Sequence, residues 1–106
     1  MAKYMWKVRY SLDGARGLQR EGAANRRAFI DSLIGGLGGT LEAFYFAFGD
    51  VDVYVIADLP DDTTAAAVAI AVGTSGAAGI ETTKLLTPDE LDAARAIETG
   101  YRAPGA

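Results

Sequence analysis

The fold class the sequence predicts is α+β: a ferredoxin-like domain of order βαββαβ with one further helix after the last strand. Three observations lead there. The stretch Thr40 to Asp58, TLEAFYFAFGDVDVYVIAD, reads as two strands folded back on each other through Gly49 and Asp50. Strand-like alternation recurs near both ends, in Tyr4 to Ser11 and in Ile80 to Leu86. Helical patterns separate the first strand from the hairpin and the hairpin from the last strand. Right-handed crossovers around a tight central hairpin then give an antiparallel sheet of order 4-1-3-2.

In Tyr4 to Ser11, Tyr4, Trp6, Val8 and Tyr10 share one face, while Met5, Lys7 and Arg9 share the other. From Leu12 to Gly22, Asp13-Gly14 suggests a turn, and Gly17 and Gly22 weaken any helix, so a loop or a broken helical turn is expected. From Ala23 to Leu37, Phe29, Ile30, Leu33, Ile34 and Leu37 recur at spacings of three and four and form a helix stripe. Gly35, Gly36, Gly38 and Gly39 end that helix, one of them in the left-handed C′ position. This glycine run follows a helix instead of opening one and lacks a Lys-Ser/Thr pair, which argues against a phosphate loop.

In the hairpin, Gly49 before Asp50 suits a type II′ turn, because glycine accepts positive φ without strain. Phe48 then faces Val51, Phe46 faces Val53 and Phe44 faces Val55. These six residues form a core face that the two helices cover together with Val8. After Leu59-Pro60-Asp61-Asp62, an Asp or Thr63 caps the alanine-rich helix Thr64 to Val72, whose small side chains can lie close to a sheet. Thr87, Pro88 and Glu90 carry the signature of an N-cap, a first-turn proline and a capping box, and the helix they begin is expected to run to about Glu98. Residues 1–99 are read as one domain and 100–106 as a flexible tail.

A chain of 106 residues can bury roughly two-thirds of its unfolded surface, enough for one core. With no cysteine and no histidine, disulfides, thiolate nucleophiles, histidine relays and the common zinc and haem sites are excluded, and no metal or cofactor is expected. The net charge of −4 argues against nucleic acid. It is unevenly spread: up to Arg27 there are seven basic and two acidic residues, and beyond it three basic and twelve acidic. Lys7 and Arg9 interrupt any signal-like apolar run and no stretch is long enough to span a membrane, so a cytoplasmic location is expected.

The other face of the sheet is expected to carry Lys7, Arg9, Tyr45, Asp52, Tyr54 and Lys84 or its neighbours, with Arg9 brought towards Asp52. Together with Met5 and Ile56 this face is too apolar to remain in water. Two such sheets face to face would form a dimeric α+β barrel with a cavity between them. Paired with Arg9, Asp52 would either position a water or ligand hydroxyl, or serve only to fix strand register.

The motifs Tyr10-Ser11-x-x-Gly14, Gly38-Gly39, Phe44-Tyr45-Phe46, Gly49-x-x-Asp52, Leu59-Pro60-Asp61-Asp62 and Thr82-Thr83 occur in an order and spacing that resemble the GYD domain family, over about Tyr4 to Glu90. The resemblance implies the dimeric α+β barrel fold and self-association, without a defined activity. Gly49 and Asp52 match the family's Gly, Tyr, Asp signature, whereas Val51 stands at the Tyr position, where Tyr54 or Tyr45 could fill the space.

Three functions follow as alternatives. One is a homo-oligomeric binding module holding a small, apolar or aromatic ligand against Tyr45, Tyr54 and the neighbourhood of Trp6, with Lys7 or Arg9 meeting an anionic group. Another is a cofactor-free monooxygenase, isomerase or cyclase, with Asp52 as base and Tyr45 or Tyr54 donating to an oxyanion. The third is a purely structural protein whose aromatic face is filled by its twin.

Overall fold

The computed structural model describes residues 1–106. Its elements run β1 (Ala2–Tyr10), α1 (Leu12–Glu21), α2 (Ala23–Gly36), β2 (Thr40–Phe46), β3 (Val53–Leu59), α3 (Asp62–Thr74), β4 (Ala78–Leu85) and α4 (Pro88–Arg95). The sheet is antiparallel and ordered β2-β3-β1-β4, which is the predicted order read from its other edge. No helix is long and apolar enough to cross a membrane.

Alternation decides which side chains go inside. Tyr4 and Trp6 from β1 and Val53, Val55, Ala57 and Leu59 from β3 are buried under Ile34 of α2 and Ala65 and Val68 of α3. Phe44 packs at the margin of this core, across the ladder from Val55 as predicted, and Phe46 opposes Val53. Tyr45 lies on the opposite face at 72% exposure.

Three expectations need correction. Leu12–Glu21 is a helix. The Ser11 hydroxyl accepts from the Gly14 amide at 3.1 Å, and Leu12, Ala15 and Leu18, spaced by three, face a shallow depression beside Tyr10 and Phe46. Gly14 is required there by space: a Cβ would stand 1.8 Å from the Ala77 carbonyl oxygen, where the start of α1 meets the chain entering β4. The hairpin turn is longer than two residues. The ladder stops at Phe46–Val53, the Ala47 amide donates to the Asp52 carbonyl at 2.9 Å, and Gly49 has φ 96° within the loop so closed. Phe48 therefore leaves the core for solvent, while Val51 alone of that expected pair is buried. A bulge between Leu41 and Ala43 further offsets β2 from β3.

The α3 cap is Asp61, whose Oδ1 accepts from the Thr64 amide at 2.8 Å, and the left-handed position after α2 is taken by Gly38 at φ 83°. Thr87 and Glu90 form the predicted capping box, but α4 ends at Arg95, short of Glu98. Every residue from Leu86 onward is exposed. This outlying segment draws the chain out to 58 Å and its radius of gyration to 17.0 Å, against about 13 Å for a compact domain of this length.

Candidate functional site

The uncovered face of the sheet gathers some of the predicted residues and not others. Lys7 on β1 pairs with Tyr54 on β3, Tyr54 pairs with Tyr45 on β2, and Met5 pairs with Ile56. These side chains form a band across three strands. At one end of it Lys3 donates to Glu42 at 2.9 Å and to Asp58 at 3.1 Å, and these bonds, Glu42 first, raise the lysine above its ordinary range.

Arg9 and Asp52 do not meet. The Arg9 guanidinium lies 3.5 Å from Glu81 on β4. Because the β3 ladder ends at Val53, Asp52 turns back onto β1: its amide donates to the Val8 carbonyl at 2.9 Å and its Oδ2 accepts from the Tyr10 amide at 2.8 Å. Its carboxylate thus fixes register through a backbone amide, not through an ion pair. Lys84 belongs to the other side as well. It pairs with Tyr4 across the ladder and its Nζ lies 3.0 Å from Asp62 at the start of α3. The Tyr4 hydroxyl donates to the same carboxylate oxygen at 2.5 Å. That bond above all pushes the phenol up to about 12, and with Lys84 it holds Asp62 below the ordinary carboxylate range. Trp6, expected near the tyrosine band, is at 2% exposure beneath the helices.

It is on this helix side that the structure holds a half-open space. The helices α2 and α3 make scarcely any contact with each other, and between them and the sheet lies a cavity of about 300 Å³. Phe29, Ile30, Leu33 and Ile34 wall it on the α2 side, Val68, Ala71 and Val72 on the α3 side, and Trp6, Val8, Val53 and Val55 form its floor. The two ends of α3 therefore behave differently: Ala65 packs on the core, whereas Ala71 leaves room. Of the lining side chains only Arg26 is charged, and Tyr10 and Ser75 supply the hydroxyls. The Arg26 guanidinium carbon sits 5.1 Å from the centre of the Phe29 ring. Burial pushes the Tyr10 phenol up, against the opposing pull of Arg26 beside it. The indole N–H of Trp6 has no hydrogen-bond partner.

The sequence gives little sign of this cavity. Its only trace is the run of small residues on α3 and at Ala77-Ala78, which reads equally well as close packing.

The sequence model of the GYD domain matches residues 4–94. The chain belongs to the GYD domain family. No curated protein and no solved structure gives a significant match. In this GYD domain, Gly49 and Asp52 both lie in the β2–β3 connection, and Val51 between them is buried. The connection therefore anchors the hairpin on β1 through Asp52.

Proposed function

We propose that this GYD-domain protein is a small-molecule-binding module acting as a homo-oligomer, with the ligand held between helices and sheet inside each protomer. The observation that carries the reading is the apolar cavity of about 300 Å³, a volume at the lower end of small-molecule sites.

The uncovered band of Met5, Lys7, Tyr45, Tyr54 and Ile56 supports self-association, since a sheet face of this character is closed most economically by a second copy in a dimeric α+β barrel. A catalytic role for Asp52 as base gains nothing from the geometry, because its carboxylate is engaged by the Tyr10 amide.

Trp6 is the only tryptophan and lines the cavity, so its fluorescence reports occupancy directly. Titration with toluene is expected to give a saturable change that Val68→Phe abolishes. No saturable change, or the same response in Val68→Phe, overturns the binding reading and leaves the filled structural interface in its place. Light scattering is expected to give at least twice the chain mass, and a value of 11.1 kDa overturns the oligomer.

A further inference from the structure

We infer that the ligand is an apolar monocarboxylate of roughly ten non-hydrogen atoms, its acid group bound by Arg26 at the rim and its body lying along the cavity towards Trp6. This rests on the binding reading above and adds the ligand's chemistry to it. The size follows from about 300 Å³ of space at roughly 30 Å³ for each water-sized group. The apolar body follows from a lining in which 16 of 18 residues are hydrophobic.

The anionic head follows from charge. Arg26 is the one charged residue of the lining, and the carboxylate paired with it, Glu21, stands outside that lining. The guanidinium has donors to spare. Its ion-pair partner, Glu21, stands 3.8 Å away, too far for a hydrogen bond, and both side chains reach solvent. Stacked on Phe29, the planar fork is held beside the entrance, where a carboxylate can take two parallel N–H bonds. Binding of the acid displaces Glu21 from Arg26, so the two carboxylates compete for one cation.

The experiment compares octanoate with 1-octanol, which share an eight-carbon chain and differ in charge, by Trp6 fluorescence on the full chain. In the wild type octanoate is expected to bind about tenfold more tightly than octanol, as a charge-assisted hydrogen bond allows. Arg26→Met is expected to remove that preference while leaving octanol within about twofold, which also shows that the variant is folded. Glu21→Gln is expected to tighten octanoate and leave octanol unchanged. Octanol binding as well as octanoate, or Arg26→Met retaining the preference, overturns the assignment of an acid and leaves the cavity reading standing. Failure of both compounds to bind the wild type overturns the two together.

Discussion

Replacing Val68 by phenylalanine tests the cavity without any ligand. Val68 is buried and its side chain forms part of the α3 wall. Given open space beside it, a phenyl ring removes about 50 Å² more apolar surface from water than an isopropyl group, worth roughly 1 kcal/mol at 25 cal/mol per Å². Were the helices closed on a filled core, the same ring would be overpacked and would cost about 1–3 kcal/mol. The two cases differ in sign, which makes the measurement decisive. Urea unfolding followed by Trp6 fluorescence at one fixed protein concentration is expected to move the midpoint upward by roughly 0.5–1 M, and thermal unfolding by about 4–8 °C. A midpoint lowered by a comparable amount would refute the existence of usable space between α2 and α3.

Other perturbations address the scaffold. Gly14→Ala is expected to destabilise by about 2 kcal/mol or more, measured by the same unfolding, because its methyl group would meet the backbone carbonyl of Ala77 at 1.8 Å. The Tyr4–Asp62 bond predicts pH dependence at both extremes. The phenol's folded value of about 12 lies above its ordinary 10.0, so its stabilisation is complete below pH 10.0 and disappears as pH rises through about 12. The Asp62 carboxyl is held below its ordinary 3.8, so its contribution is present above pH 3.8 and is lost as pH falls through the lower folded value. Tyr4→Phe is expected to flatten the alkaline limb and to remove the late step in the phenolate absorbance titration; an unchanged titration would show that the bond does not form. Removing Pro88 to Ala106 is expected to change the unfolding free energy, measured at one fixed protein concentration, by no more than about 0.5 kcal/mol, since every residue of that segment is exposed, and a larger loss would show that it packs on the domain or on a second copy.

What could be read from the residues alone was whatever local pattern determines. The pairing of Phe44 with Val55 and Phe46 with Val53 follows from alternation on either side of a turn, and a shift of one residue would have put Tyr45 under the helices. The Thr87–Glu90 box is equally local. Carrying the ladder two pairs past Phe46–Val53, to Phe48–Val51, misplaces Asp52. Once the ladder ends at Val53, an aspartate finds a backbone amide closer than a guanidinium on the next strand. Glycine propensity hides helix α1 behind Gly14 and Gly17, although the Ser11 cap and the Leu12, Ala15, Leu18 spacing favour it, and the need for glycine at position 14 comes from a residue 63 positions later. The cavity had no local signature at all. The stripe on α2 is correctly placed, yet how far α2 stands from α3 depends on all the contacts each makes with the sheet.

That separation has a thermodynamic consequence. A fully dry void of 300 Å³ would cost about 7 kcal/mol at the roughly 24 cal/mol per Å³ seen for residual cavities in protein cores, against a total stability of about 5–15 kcal/mol for a typical domain. Solvent at the mouth makes the true cost smaller, but the comparison shows how strongly an occupant must be linked to the folded state. A ligand that fills the space stabilises the fold by RT ln(1 + [L]/Kd), so occupancy at a hundredfold excess over Kd adds about 2.7 kcal/mol. Unfolding midpoints that rise with octanoate in the wild type, and stay fixed in Val68→Phe, would locate that linkage in the space between α2 and α3. A rise of equal size in both would put the binding elsewhere on the molecule.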